Sequence, residues 1–576
     1  MNLDLPIFTD QADTTVSPQP RRFKRWLSEL PMVNMGEATR LFFQTIQAFN
    51  RQSIPARIRL ELMEQMRPVA HQAVEYLNKH FISCAFPLTG KNRQIEQLEQ
   101  TLLQEMSIGY KLVVNEVDAH NSKLDKKSLL IATHRSMRYL EKSLQLSARL
   151  YTNPAATIWR DLHQLYEYAE QQKMTDLLVK DEEYLVIKES SIADVYKQNC
   201  LLALSDPNHL KNGAVAKLVR VFETASEYCE ITKTLNPDNS GSLYITSLKS
   251  SEPPAYVTLA ELTTFNNLRG ISLSKLISHA ESSLKSADQQ LSFFNDLDAD
   301  LLREILTTWT THKKRYFNRA PANTRIIVAT GIRNIVHAIS KDNYPDLSPE
   351  NLLKKQAIRS AGNSATSSIG NTTWNKLMTH SSLYSREVLD TSTPKPPPQP
   401  APQLPESWQY WKLLNSSSGG YGLLWDNPSS SRAQVGEIVA LREKENHQYQ
   451  WRLGQIRWMK HTSQGALALG VQLISPRAIV AAVEDIPTRS YSTLPGQIIM
   501  LPGMKTRQQA PSILVPEKNL QVGDELALSL FGKQVYVKLT GIGEQPSFFT
   551  QFFYQSIELS ENRKDKDNFG KLWDKL

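Results

Sequence analysis

Residues 411–425, WKLLNSSSGGYGLLW, are the stretch that decides the fold prediction. An apolar segment, a polar crest and a second apolar segment follow one another in it. Asn and Ser side chains close turns by bonding to the nearby backbone, and glycines allow positive φ and close backbone approach. The pattern predicts a β-hairpin with a polar turn, and the crest taken alone also fits an ordinary loop between strands.

Further strand-like runs lie on both sides of this hairpin. Three β-rich runs follow it and are separated by polar turns, at residues 435–441, 451–458 and 467–474. Before it, the basic run KKRYFNR at residues 313–319 leads into a strand-like segment at 324–330. This spacing is typical of a small antiparallel barrel.

Together these segments resemble a PilZ domain, the bacterial receptor module for cyclic di-GMP. That family carries Arg-x-x-x-Arg before its first strand and Asp/Asn-x-Ser-x-x-Gly in the following hairpin. Here the first motif is Arg315 and Arg319, and the second is Asn415, Ser417 and Gly420. The resemblance implies a cyclic di-GMP effector that regulates motility, pili, surface attachment or exopolysaccharide through protein-protein contacts.

The chemistry of these residues suits a cyclic dinucleotide, which presents two phosphates and two guanine edges. Arginine forks onto phosphate or guanine O6/N7 and stacks on bases, so Arg315 and Arg319 are expected to close around the ligand. The hairpin motif offers an amide, a hydroxyl and a glycine that admits close approach, and Trp458 offers a stacking face. Taken alone, the two arginines also fit a solvated basic helix end, which the helix dipole favours.

Composition narrows the function classes. The net charge of +8 favours an anionic partner, whether nucleotide, nucleic acid or membrane surface. Cys84, Cys200 and Cys229 are far apart and make no metal box, so neither a metal nor a cofactor is expected. The sequence contains no recognisable catalytic constellation, which predicts a protein that is not an enzyme. It also lacks signal-peptide features and an apolar run of about 20 residues, so we expect a cytoplasmic protein.

The predicted fold class is α+β multidomain: a mostly α-helical N-terminal module, then a PilZ-type antiparallel β-barrel and a second small β-barrel-like domain. Helical periodicity dominates the first half, and residues 256–290 are also predicted to be helical. A helix capped by Asp298 or Asp300 would join the helical module directly to the arginine pair. The predicted units are a disordered leader (1–21), the α-helical module (22–296), the PilZ barrel (297–340 plus 406–480), a disordered Ser/Thr/Pro-rich insertion (341–405), the second barrel-like domain (481–560) and a charged tail (561–576).

The tract at 341–405 is the largest departure from the family pattern. A Pro-rich linker usually separates domains, which would place the arginines and the hairpin in different units. The alternative that we adopt is an insertion between the first two strands of one barrel. Loop closure grows only logarithmically with length, so sixty-odd extra residues cost roughly 1 to 2 kcal/mol relative to a short loop.

The second barrel is predicted from a sequence echo. Residues 522–528, VGDELAL, echo residues 435–441, VGEIVAL. Because neither PilZ motif recurs there, we expect a surface for packing or for a partner. The ligand is predicted to be cyclic di-GMP. A protein partner is expected in pilus, motility or surface-attachment machinery, and its identity stays open. Two alternatives remain open: a PilZ-like scaffold that binds no nucleotide, and a basic RNA- or DNA-binding protein, which is the less favoured.

Overall fold

The computed structural model describes most of the chain outside the predicted insertion and tail. Arg315, the insertion at 341–405 and the tail at 561–576 lie outside the described residues. The described residues are 1–9, 16–81, 84–120, 124–237, 242–264, 266–285, 293–311, 318–340, 408–427, 429–431, 433–445, 448–485, 497–503, 510–516, 520–530, 533–543 and 548–557.

The described residues of the first unit form eight α-helices that pack around one apolar core. Side chains cap several of them: the Asn34 amide oxygen accepts from the Glu37 N–H at 3.3 Å, and Ser191 with Asp194 forms a capping box. No described helix is long and apolar enough to cross a membrane. The helices are α1 (Pro20–Ser28), α2 (Met35–Asn50), α3 (Ala56–Asn78), α4 (Gly90–His120), α5 (Lys126–Arg149), α6 (Thr157–Gln171), α7 (Ile192–Leu204) and α8 (Ala214–Ala225), with a short hairpin β1 (Val179–Lys180) and β2 (Glu189–Ser190) between α6 and α7.

The first nine residues pack against this unit, so the prediction of an unpacked leader is wrong for them. Leu3 is 8% exposed and belongs to the main core. The buried Lys111 ammonium donates to the Asp4 carbonyl at 2.8 Å and to the Asp161 carboxylate at 2.6 Å. A buried ion pair therefore fixes the segment through contacts more than 100 residues away in sequence.

A four-stranded antiparallel sheet follows, in the order β3-β6-β4-β5. The helix predicted over 256–290 is wrong for residues 256–258 and 268–272, where sheet pairing buries Val257 and Ile271, residues of a type that favours strands. As predicted, Asp298 caps the helix before the arginine pair, by accepting from the Leu301 N–H at 3.0 Å. These elements are β3 (Glu230–Thr232), β4 (Ser242–Ser247), β5 (Ala255–Thr258), β6 (Leu268–Ser272), α9 (Ser274–Lys285) and α10 (Ala299–Thr310).

The next six strands close into an antiparallel barrel, in the order β7-β8-β9-β12-β11-β10 and back to β7. Strand β7 pairs directly with β8, although residues 341–408 separate α11 from β8 in sequence. The barrel interior and the helical unit share one apolar core. The elements are β7 (Ala320–Thr330), α11 (Ile332–Ser340), β8 (Gln409–Ser417), β9 (Gly420–Trp425), β10 (Ile438–Glu445), β11 (Gln448–His461) and β12 (Leu467–Ser475).

A buried histidine joins this barrel to the helical unit. His461, at the end of β11, takes the Leu88 N–H at Nε2 (3.4 Å), while its Nδ1 lies 3.1 Å from the Leu150 carbonyl. The backbone N–H of His461 donates to the Tyr151 carbonyl at 2.7 Å. Burial lowers the pKa of His461 to about 4, so the imidazole is neutral at pH 7.

The last six strands form a second closed barrel with the same connectivity, β13-β14-β15-β18-β17-β16. The two turns that echo in sequence also match in structure. The Gly436 and Gly523 N–H groups donate to the carbonyls of Ile456 and Leu539, each at 2.8 Å, and both glycines have positive φ. The strands are β13 (Ile479–Asp485), β14 (Gln497–Leu501), β15 (Ser512–Val515), β16 (Glu525–Leu530), β17 (Lys533–Ile542) and β18 (Thr550–Ile557).

A helical module followed by two antiparallel barrels confirms the predicted fold class. Helix α11 packs between the barrels, and its Ile335 and Val336 share a buried cluster with residues of both. The unit boundaries given from the sequence remain predictions.

Candidate ligand-binding site

Strand register places one residue from each of five strands in a single row across the first barrel. The paired positions run Pro321, Asn415, Gly422, Gly470, Trp458, on β7, β8, β9, β12 and β11. The neighbouring positions on β9 and β12 are buried leucine, valine and tyrosine side chains. Because successive residues of a strand point to opposite faces, the row lies on the outer face of the barrel.

The amide of Asn415 lies over Gly422. A Cβ built on Gly422 would come within 2.8 Å of both amide atoms of Asn415, so only glycine leaves room for this side chain. The Oδ1 atom of Asn415 is buried and has no hydrogen-bond partner among the described residues. A buried acceptor without a donor is costly, so this oxygen is an exception among the buried polar atoms of the barrel.

The indole of Trp458 lies over Gly470 in the same manner. A Cβ on Gly470 would lie 2.0 Å from Nε1 of Trp458. Trp458 is half-buried, so part of its ring stays open to solvent. The two adjacent glycines are therefore covered, one by an amide and the other by an aromatic ring.

Ser417 and Gly420 shape the hairpin turn at the end of this row. The Ser417 hydroxyl accepts from the Gly419 N–H and donates to the Gly420 carbonyl, each at 3.3 Å. A Cβ on Gly420 would lie 2.0 Å from the Val471 carbonyl oxygen, because β9 passes very close to β12 here. The Ser417 hydroxyl thus bonds within the turn, and Gly420 joins the turn to β12.

Arg319 is exposed and stands immediately before β7. The next residue, Ala320, pairs with Ser416, and Pro321 pairs with Asn415. The pairing brings the backbone of the second motif arginine to the hairpin end, next to Asn415. Arg315 is outside the described residues, so its position relative to the row stays a prediction.

Gly422 and Gly470 were missed as site residues in the sequence. Each interrupts an apolar strand, in the contexts YGLL and LGVQ. A glycine inside a strand often marks close approach by another group, and that signal was available. What the sequence did not contain was the register that places the two glycines side by side.

The second barrel lacks this arrangement. The positions equivalent to Asn415, Gly422, Gly470 and Trp458 hold Leu501, Ser512, Phe553 and Gly541. Leu501 is 1% exposed and Ser512 is fully buried, so both side chains are packed inside the protein.

Comparisons with known proteins agree with this architecture. The family model for the N-terminal domain of the cyclic-di-GMP receptor FimW matches residues 21–237. The model for the middle PilZ domain of the same receptor matches residues 243–479. The cyclic-di-GMP receptor FimW of Pseudomonas aeruginosa is 25% identical over 606 residues, which cover 100% of this chain and 99% of the relative. No solved structure matches the chain significantly. The two matches lie in consecutive parts of the chain, and the chain therefore belongs to the FimW family of PilZ-domain proteins.

Proposed function

We propose that this chain is an effector that binds cyclic di-GMP on the outer face of its first barrel. The observation that carries the proposal is the row itself: an amide, whose buried oxygen has no hydrogen-bond partner among the described residues, and an indole lie over two adjacent glycines. With a strand spacing of about 4.8 Å, the row from Asn415 to Trp458 spans three spacings, or roughly 14 Å.

Each end of the row matches one part of the ligand. The Asn415 oxygen would accept from the N1–H and N2–H donors of a guanine edge, and Trp458 would stack on a guanine plane. Arg319, at the hairpin end, would fork onto a phosphate, and Arg315 would assist it. Ser417 and Gly420 would hold the turn that presents Asn415.

The response to the ligand is proposed to pass to a protein partner. Helix α10 lies immediately upstream of the arginine segment and is anchored to the helical unit: Lys217 pairs with Asp298 at 2.9 Å, and Trp309 packs on Phe222. Ordering of the arginines would therefore be transmitted through α10 to the helical unit. A partner in pilus, motility or surface-attachment machinery is the proposed recipient.

The test is calorimetric titration of the purified chain with cyclic di-GMP and, separately, with a single-stranded oligonucleotide. We expect a dissociation constant in the micromolar range or tighter for cyclic di-GMP, which corresponds to about 8 kcal/mol. Heat with neither ligand would support the scaffold alternative, and heat with the oligonucleotide alone would support nucleic-acid binding.

Arg319→Ala tests the arginine role. Loss of charge-assisted hydrogen bonds worth about 1.5 to 3 kcal/mol should weaken binding roughly ten- to a hundredfold. The matched control is Arg325→Ala, which removes an arginine of β7 that pairs with Asp426 at 3.3 Å. Hydrogen exchange should show ligand protection both at residues 318–321 and at 414–421. Protection at the hairpin alone would mean that the arginine is only part of a basic helix end.

A further inference from the structure

Helix α1 presents a cationic face to solvent. Four basic residues lie within five positions of it, and all four are exposed: Arg21, Arg22, Lys24 and Arg25. Glu29 pairs with Arg25 at 3.0 Å, but these side chains are 61% and 83% exposed, so water screens the pair. Within the described part of the chain, the other three cations have no ion-pair partner.

The opposite side of α1 fixes the direction of this face. Phe23 is fully buried, stacks on Trp26 at 5.4 Å and contacts Phe49 of α2 at 5.3 Å. Trp26 and Leu27 are half-buried and pack against the main core. At 3.6 residues per turn the four cations occupy an arc of about 160°, and Trp26 and Leu27 lie at its two borders. Core packing therefore holds the cations outward.

The turn after α1 adds an exposed apolar side chain. The Asn34 N–H donates to the Pro31 carbonyl at 2.8 Å, which closes a tight turn around Val33. Val33 is 105% exposed, a larger fraction than that of any other large hydrophobic residue in the described ranges. A basic helix with apolar borders and a neighbouring exposed aliphatic residue is typical of a membrane-surface contact.

A second exposed apolar cluster lies around the β1–β2 hairpin and differs in charge. Its four aliphatic side chains are 43% to 65% exposed: Leu177, Leu178, Leu185 and Val186. The exposed charges of residues 173–189 are three lysines and three carboxylates, which cancel. Residues 20–29 instead carry four basic residues and one acidic residue. Charge complementarity with an anionic surface therefore favours α1 over the hairpin.

We propose that α1 and the turn after it bind the surface of an anionic phospholipid bilayer. The cations lie among the headgroup phosphates, and Val33 and the open edge of Trp26 enter the boundary with the acyl chains. A nucleic acid would use the same cations but would gain little from Val33. The ligand row lies on the first barrel, so this inference goes beyond the proposed function and does not depend on it.

Sedimentation of the full chain with lipid vesicles, in the absence of cyclic di-GMP, tests the proposal. We expect binding to phosphatidylcholine vesicles that contain about one-third phosphatidylglycerol, and little binding to pure phosphatidylcholine. The bound fraction should fall at about 1 M salt, where the Debye length is about 3 Å. Equal binding to the two kinds of vesicle, or binding to neither, would overturn this inference and leave the proposed function untouched.

A charge variant of α1 locates the surface. It combines Arg21→Gln, Arg22→Gln and Lys24→Gln and keeps Phe23, so its circular dichroism spectrum should match the wild type. Each basic residue near an anionic bilayer strengthens binding about fivefold, so the variant should bind anionic vesicles roughly a hundredfold more weakly. Wild-type affinity in this variant would show that another surface meets the lipid.

The matched control combines Lys173→Gln, Lys180→Gln and Lys188→Gln. It removes the same charge from exposed positions beside the apolar cluster of the hairpin. Its affinity should stay within about threefold of the wild type, because screening confines the attraction to charges near the bilayer. A loss as large as that of the α1 variant would mean that only the net charge of the chain matters.

Val33→Ser separates a bilayer from a nucleic acid. Loss of a buried aliphatic side chain should weaken vesicle binding about tenfold, while any binding to a single-stranded oligonucleotide should not change. If Val33→Ser binds vesicles as the wild type does, and the α1 charge variant loses oligonucleotide binding, then the cationic face serves a nucleic acid and the proposal is wrong.

Discussion

Replacing Gly470 by alanine should weaken cyclic di-GMP binding without unfolding the chain. An ideal Cβ there would lie 2.0, 2.4 and 2.7 Å from Nε1, Cε2 and Cδ1 of Trp458. Atoms in contact need about 3.5 to 4.0 Å, so the indole must move by about 1.5 Å or rotate away. The backbone needs no change, because the φ of Gly470 lies outside the left-handed region that favours glycine.

The magnitude follows from the displaced ring. Stacking of a base on an aromatic side chain contributes about 1 to 3 kcal/mol, so its loss should weaken binding roughly 5- to 150-fold. Trp458→Ala should give a loss of the same size, and Trp458→Phe should retain part of the affinity. Calorimetric titration measures the affinity, and tryptophan emission reports whether the ring has moved.

The second barrel supplies the control. Gly541 lies at the equivalent of the Trp458 position, and a Cβ there would meet the Phe553 Cδ2 at 3.7 Å, an ordinary contact. Gly541→Ala should therefore leave both affinity and melting temperature unchanged. If Gly470→Ala shifts tryptophan emission but binds as the wild type does, then Trp458 is not a stacking surface and the row does not define the site.

Two further predictions concern the fold. Deleting most of residues 345–400, with a short flexible bridge, should preserve the circular dichroism spectrum and the affinity, because β7 and β8 pair through residues outside that tract; an unfolded barrel would show that the tract is structural. The free energy of unfolding should also fall as the pH drops from about 6.5 towards 4. In this range His461 is protonated in the unfolded chain but stays neutral in the folded chain, where its pKa is about 4. At pH 5 this group costs roughly 2 kcal/mol relative to pH 7, so His461→Gln should show a correspondingly smaller shift of denaturant midpoint between these pH values. An unchanged shift would assign the acid sensitivity to other groups.

The hairpin and most barrel strands could be predicted because their signals are local. Alternating apolar residues and the Asn/Ser/Gly crest define strands and turns without reference to the rest of the chain. The row could not be predicted, since its register depends on irregularities after Leu413 and after Ile456. A shift of one residue moves every side chain of a strand to the other face, so Asn415 meets Gly422, and Trp458 meets Gly470, only once these irregularities are known.

The wrong predictions have the same physical origin. Polar composition suggested an unpacked leader. Distant helices, however, form both the core that buries Leu3 and the Lys111–Asp161 ion pair. Helical spacing suggested a helix in a segment that contains β5 and β6, and both of these strands pair with β4. In both places long-range contacts outweighed the local pattern, as tertiary context often does.

The two barrels separate the fold from the site within one chain. Their strand order and their glycine turns are the same, so the backbone alone does not explain why one barrel has a ligand row. The difference lies in the paired positions: glycines in the first barrel leave room for the Asn415 amide and the Trp458 indole, whereas Ser512 and Phe553 occupy the equivalent positions in the second. Leu501, where the first barrel has Asn415, belongs to the apolar cluster against α11. In the second barrel the equivalent face is thus a packing surface. This packing holds α11 beside the first barrel, at the end of β7 that lies opposite Arg319.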